Sequence, residues 1–254
     1  MLNIDQYLAA LQSDSALLAA AAREAGPDAA LPPCPEWVMR DLVLHIGEVQ
    51  RWCGALVRHA LMNPAEQTEE YLGALPGDDD LVSWFEDGAR ALTATLRSAD
   101  PELRCFTFLE DAPAPRLFWA RRQAHEVAMH RVDAESALGR DTGFTADMAA
   151  DGIDELLTGF APRKRTQLRS DVPRRLLIAP DDTAATWLVT ISDQPAVTKR
   201  LAVRSAADAD CTVGGASSDI YEALWNRQGT ERLGIAGDAA VLALFRDGVQ
   251  IRWS

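Results

Sequence analysis

The sequence predicts an α+β protein, with an N-terminal antiparallel four-helix bundle followed by a small α+β C-terminal domain. Two observations carry this expectation. Up to about residue 160, apolar side chains recur every three or four positions, the period of a helix with one buried face. After Pro162 the texture changes to short β-rich runs broken by Pro, Asp and Gly, which read as strands. The boundary is therefore placed at 162/163, giving domains of 1–162 and 163–254, and 254 residues suffice for two modest cores.

The helices follow in order. Over 3–25, Ile4, Tyr7, Leu8, Leu11, Leu17 and Leu18 form one stripe, and Gly26-Pro27 ends it. The turn LPPCP leads into a helix over 36–62, where Trp37, Leu44 and Val49 are candidates for burial and Asn63-Pro64 stops the pattern. A third helix covers about 79–98, with Asp78 or Asp79 as its cap. A fourth runs from about 117 to 138 and ends at Gly139; a fifth, about 146–160, leads out of the bundle. RRLLIAP, ATWLVTIS, AVTKRLAV and CTVGG are the strands. Ser217-Ser218-Asp219 caps the helix IYEALWNRQG, and Gly237-Asp238 opens AAVLALFRDG. Strands first and helices after them fit an α+β domain better than a βαβ alternation.

Composition narrows the function. A formal charge of −13 makes nucleic acid and anionic membrane surfaces poor partners, since both demand a basic face. The cluster PRKRTQLR at 162–169 is too short to reverse this. The N-terminal stretch lacks a basic leader and is interrupted by Asp5, Gln6, Asp14 and Arg23, so no signal peptide is expected. Its longest apolar run, Ala16 to Ala22, is too short to cross a bilayer. Cys34, Cys53, Cys105 and Cys211 are scattered, without a C-x-x-C pair, and are expected as free thiols in a reducing cytoplasm.

The segment RRQAHEVAMHRVDAE at 121–135 concentrates histidines and carboxylates on one helix. Residues four apart on a helix lie about 40° and about 6 Å from each other, so Glu126 and His130 project side by side. His125 is turned about 140° from His130 and is a bystander. Asp133, three residues beyond His130, is placed to orient that imidazole. A catalytic zinc needs three protein ligands and an open position. The best third donor is His45, set among Val43, Leu44 and Ile46 in the second helix. His59 is about 21 Å further along the same helix, beyond reach of the same ion. The same spacing also occurs where a carboxylate and an imidazole merely interact across one turn, so spacing alone leaves both readings open. Arg121, Arg122 and Arg131 flank the pair and are expected to point outward; Trp52 and Trp119 are either pocket walls or core packing.

The stretches LPPCPEWVMRDLVLHIGEVQRW and FWARRQAHEVAMHRVDAESALG resemble the maleylpyruvate isomerase family of mycothiol-dependent enzymes. DADCTVGGASSDIYEALWNRQG and LGIAGDAAVLALFRDGVQI extend the resemblance to nearly the whole chain. A C-P-x-W turn, a mid-helix histidine and H-E-x-x-x-H occur in the order that family shows. The resemblance implies a DinB-like N-terminal bundle and a sterol-carrier-protein-like C-terminal domain. It also implies a zinc ion on His45, Glu126 and His130, and an arginine able to face the active site at Arg227 in ALWNRQG, where an arginine serving the end of its own helix is an equal reading.

The reaction so implied isomerises a cis double bond through addition and loss of a thiol. A low-molecular-weight thiol, mycothiol or another, is the implied cofactor beside Zn2+, and a small, electrophilic, anionic molecule is the implied substrate. The S-transfer of the same thiol to such an electrophile is an equal possibility at this level. Because the thiol belongs to the cofactor, Cys34 in PPCPEW reads as a turn residue rather than a nucleophile. Two other functions fit the sequence: a non-catalytic protein that binds a metal and a ligand, and a metal-dependent hydrolase. The hydrolase would need a base beside the ion, for which Glu48 is the visible candidate.

Overall fold

A computed structural model of the chain describes residues 1–67, 69–202 and 208–251. They divide into two compact units, 1–142 and 143–254.

The first unit holds four long helices: α1 (Ile4–Ala25), α2 (Met39–Arg58), α3 (Asp78–Ser98) and α4 (Pro115–Ser136). α1 packs on α3 and α4, and α2 packs on the same two helices, which closes a four-helix bundle. Local chemistry sets the ends. Asn3 Oδ1 accepts from Gln6 N at 3.0 Å while Gln6 Oε1 accepts from Asn3 N at 2.9 Å, a reciprocal cap on α1. Gly26, with φ +82°, closes it in a backbone conformation that other residues adopt only with strain. In α2 the buried stripe is Leu42, Val43, Ile46, Cys53 and Leu56, whereas Trp37, Leu44 and Val49 are only half-buried. His45, between Leu44 and Val49, is half-buried like them. The cap of α3 is Gly77 rather than either expected aspartate. Asp78 instead accepts two bonds from Arg40, each 2.6 Å long, and the first-turn carboxylates still favour the helix N-terminus.

The second unit is a five-stranded sheet with three helices. Its strands are β1 (Arg174–Ile178), β2 (Thr186–Ile191), β3 (Val197–Leu201), β4 (Cys211–Gly214) and β5 (Gly234–Gly237), in the order β3-β2-β1-β4-β5. β1 and β4 run parallel; every other pair is antiparallel. Val203, the last residue of the expected third strand, lies outside the described residues. The helices are α5 (Ala146–Glu155), α6 (Ser217–Leu224) and α7 (Ala239–Gly248). α6 has no side-chain cap from its own Ser217-Ser218-Asp219. Asp182 does that work from a loop, accepting from Ser217 N and Ser217 Oγ at 3.0 Å each. Asp238 caps α7 as expected, its Oδ1 accepting from Ala240 N at 3.0 Å.

α5 continues as one π-type turn over Leu156–Phe160 and packs on α6. Asp154 Oδ1 accepts from Trp187 Nε1 at 2.9 Å, and Gly152 O accepts from Trp225 Nε1 at 3.3 Å. These bonds tie α5 to the sheet and to the end of α6, so the boundary expected at 162/163 falls inside the second unit. Among the described residues no helix is long and apolar enough to cross a membrane. None of Cys34, Cys53, Cys105 and Cys211 is in a disulfide.

Gly152 is where α5 meets α6 most tightly. A Cβ there would lie 2.3 Å from Tyr221 Cε2 and 2.4 Å from Cζ, on a rigid and fully buried ring. Gly152→Ala therefore lowers the melting temperature: an overpacking cost of about 1–3 kcal/mol exceeds the helix-propensity gain of about 1 kcal/mol. Thermal unfolding followed by circular dichroism checks this, and a higher melting temperature would refute it.

Candidate metal centre

α4 is buried on nearly every side from Phe118 to Glu135, although its sequence is as polar as that of a surface helix. Glu126 and His130 face the same way one turn apart, and α2 brings His45 against them. Glu126 Oε1 lies 3.8 Å from His45 Nε2 and 3.5 Å from His130 Nε2. One ligand atom from each of the three residues lies within 4.8 Å of the others. A tetrahedral ion with bonds of about 2.1 Å would space its ligands about 3.4 Å apart, close to two of these separations. Glu126 and His130 are 3% and 5% exposed, and His45 is half-buried.

Hydrogen bonding supplies an independent test of fit. His45 Nε2 and Glu126 Oε1 are buried and have no hydrogen-bond partner. An unmade bond at a buried polar atom costs about 1–3 kcal/mol, and more at a charged one. A cation among the three atoms would satisfy both at once. Electrostatics point the same way. Burial alone would raise the Glu126 carboxyl, but His130, His45 and Arg122 outweigh it and hold the group well below the usual carboxylate range. Burial alone would lower the His130 imidazole, but Asp133 and Glu126 outweigh it and raise the group. The charge arrangement that favours a proton on His130 favours any cation set between the carboxylate and the two rings.

Surrounding groups fix the geometry. His130 Nδ1 is 2.9 Å from Asp133 Oδ2, which orients the ring and leaves Nε2 facing Glu126. Arg122 Nη2 donates to Glu126 Oε2 at 3.1 Å. The ring of Trp37, delivered by the C-P-x-W turn, lies 4.9 Å from that of His45 and stacks over His130 at 6.3 Å with 20° between planes.

Several expectations change here. Arg121 and Arg122 do not point outward; they are 6% and 1% exposed, because α4 is buried on nearly every side rather than along one apolar stripe. Arg131 also turns inward, donating to Asp14 at 2.8 Å and to Glu135 at 3.1 Å. Trp119 is core, its Nε1 donating to Phe106 O at 2.8 Å and its ring meeting Trp52 edge-on at 5.4 Å. The aromatic side chain against the histidines is Trp37. Sequence spacing missed it because only the shape of the turn brings it back over α2. His59 is the exposed C-cap residue that follows α2, and His125 is fully buried, edge-on to Tyr7. Glu48 is half-buried and outside the three-residue cluster. Arg227, in the second unit, is half-buried and donates from Nη1 to Trp225 O at 3.1 Å. A cavity of about 570 Å³ between α2 and α3 is lined by Gln50, Arg58 and Tyr71, among others, and by none of the three cluster residues.

A helical bundle followed by a sheet domain also occurs in known proteins. Residues 8–135 match the model of the mycothiol maleylpyruvate isomerase N-terminal domain, and 147–244 match that of the MDMPI C-terminal domain. The chain belongs to the mycothiol-dependent maleylpyruvate isomerase family of enzymes. The gap between the two matches includes the 142/143 division of the structure, so α5 goes with the second domain by both criteria. Crystal structures of the mycothiol-dependent maleylpyruvate isomerase, and of a histidine-to-alanine mutant of it, are matched over 92% of this chain and 93% of that one. Each has a TM-score of 0.63 at 14% identity, a likeness of fold. A ubiquinone synthesis protein, UbiJ-SCP2, is matched over 43% of this chain and 93% of that one at 21% identity, with a TM-score of 0.30 that carries no argument. No curated protein matches the chain.

The ion pairs around Arg131 generate a prediction separate from the cluster. Arg131→Met leaves Asp14 and Glu135 largely buried without that cation and costs about 3 kcal/mol near neutral pH. Burial already raises the Asp14 carboxyl, against the opposing pull of Arg131. Without Arg131, the folded state binds a proton at Asp14 more readily than the unfolded state does. A raised folded-state value gives stability at low pH that fades as pH rises. The variant's deficit is therefore smaller at about pH 5 than at about pH 8. Urea denaturation at both pH values reads it; a deficit that grows on acidification contradicts the assignment.

Proposed function

We propose that this chain is a zinc-dependent enzyme that uses a low-molecular-weight thiol, mycothiol or a relative, on a small electrophilic and anionic substrate. The observation that carries the proposal is the convergence of His45 Nε2, Glu126 Oε1 and His130 Nε2, two of them buried without hydrogen bonds. Two histidines and a carboxylate are a donor set suited to zinc, and three ligands leave a position open, as catalytic sites do.

The chemistry is addition and elimination. Thiolate attacks one carbon of a cis alkene conjugated to a carbonyl, and the π pair moves to the carbonyl oxygen as an enolate. The former double bond is now single and rotates. Return of the electron pair expels the thiolate and leaves the trans alkene, so the thiol is regenerated. In S-conjugation the same nucleophile attacks, the carbon–sulfur bond is kept, and the enolate carbon takes up a proton to give a saturated thioether. When bound, zinc would keep a thiol deprotonated at neutral pH and polarise the carbonyl. Asp133 holds the ligating edge of His130 in place, and the Trp37 indole limits water at the histidine rings.

Burial pushes the thiols of Cys53, Cys105 and Cys211 up, which makes each a poor nucleophile and favours a thiol supplied from outside the protein. Arg227 is proposed as the cation that binds a substrate carboxylate, on the strength of its place in ALWNRQG, because a guanidinium pairs with carboxylate through two bonds.

Elemental analysis of protein purified without a metal-affinity column comes first. About one zinc per chain is expected in the wild type and none in His130→Ala; no zinc in either sample, even after zinc is offered, would remove the enzyme reading. Turnover of a cis-alkenyl keto acid should then require added thiol. Arg227→Met should raise KM by about tenfold or more with little change in zinc content. An unchanged KM would take the substrate-binding role from Arg227.

A further inference from the structure

We infer that Arg122 is a positioning residue that restricts Glu126 to a single oxygen toward the ion, and thereby keeps a coordination position free for the thiol. The inference rests on the metal-centre reading above and adds the device that would hold the centre open.

Carboxylates bind cations through one oxygen or through both. Glu126 is buried beside two imidazole nitrogens, and its two oxygens are in different situations. Oε1 faces His45 and His130 and accepts no hydrogen bond. Oε2 accepts from Arg122 Nη2 at 3.1 Å. Arg122 is 1% exposed, so solvent does not compete for this contact. It comes from the same helix four residues earlier, and α4 is buried along this stretch, so the guanidinium has little room to swing away. An oxygen drawn toward a guanidinium turns its lone pairs from the ion, which leaves Oε1 as the donor. Two imidazoles and one oxygen make three ligands, and a tetrahedral ion then has one position left.

Charge alone does not explain this arrangement. A lysine would neutralise Glu126 equally well, but its ammonium is a mobile point charge on a flexible stem and does not hold one oxygen in plane. Arg122→Lys therefore separates orientation from charge, and Arg122→Met removes both.

Cobalt(II) in place of zinc gives a readout that does not depend on turnover. Four-coordinate cobalt absorbs several-fold more strongly in the visible than five- or six-coordinate cobalt, and a bound thiolate adds a near-ultraviolet charge-transfer band. The probe thiol is 2-mercaptoethanol. The wild type should take up one cobalt, show the intense visible bands, and develop the charge-transfer band on thiol addition. Both variants should take up cobalt with weaker visible bands, and need about tenfold more thiol for half of the charge-transfer change. Wild-type spectra and thiol midpoints in both variants would overturn the inference. So would folded variants that take up no cobalt, since Arg122 would then sustain the ligand itself and not the number of its donating oxygens. If Arg122→Met does not fold, Arg122→Lys decides; failure of both makes Arg122 a structural ion-pair partner and overturns the inference. A wild type that takes up no cobalt sinks the metal-centre reading first, and this inference with it.

Discussion

Everything in the first domain depends on burying a charged helix. α4 runs through the bundle with arginines, carboxylates and histidines on its sides, and almost none of them reaches water. A charge taken from water into a protein interior costs several kcal/mol unless it is paired and hydrogen-bonded. The bundle meets that demand contact by contact. Asp14 of α1 and Glu135 share Arg131, Asp133 holds His130, and Arg122 holds one oxygen of Glu126. What remains is the other oxygen of Glu126, facing the unbonded Nε2 of His45 across 3.8 Å. The amide of Gln50 is also buried without a hydrogen-bond partner, but it is neutral and cheaper to leave so. At Glu126 the unmade bond sits on a carboxylate, and a cation is the group that would complete it.

The same constraint shapes access. α2 presents a half-buried face with Leu44, His45, Glu48 and Val49, and Trp37 folds back over the two imidazoles. His45 is therefore the ligand nearest solvent, at 17% side-chain exposure against 7% for His130 and 4% for Glu126. The cluster thus has two candidate ligands anchored in the interior and one at its edge.

The sequence made some of this legible and hid the rest for identifiable reasons. Apolar period placed the long helices to within a few residues, and the His-Glu-His set followed from helix geometry together with the resemblance. Period reports polarity, however, not burial. A helix polar on every side reads as exposed, which puts Arg121 and Arg122 outside, whereas both are buried in the folded chain. Period also says nothing about which domain a helix joins, and α5 reads as an exit from the bundle while Gly152 and Asp154 bind it to the sheet domain. β5, Gly234–Gly237, has two glycines in four residues and no side-chain pattern to read. The cap of α6 comes from Asp182, distant in sequence, and Trp37 reaches the histidines through a turn whose shape no spacing encodes.

That division of the legible from the hidden bears on what the fold can vary. Ligands on one helix at a fixed spacing, with a third on a neighbour, are cheap to specify and readable in sequence. The groups that would hold them in place act through burial: Arg122 on the same helix, Asp133 below His130, Trp37 above. Each works only because α4 is enclosed, since an exposed guanidinium would share its bonds with water and lose its grip on one oxygen. Changes to packing against α4 should therefore alter the centre as surely as changes to its ligands. A bundle that kept all three ligands but let water reach Arg122 would retain a metal-binding sequence and lose the asymmetry between the two oxygens of Glu126. On the reading proposed for this chain, the three donor residues say where an ion would sit, and the enclosure of α4 would decide how many positions it has left.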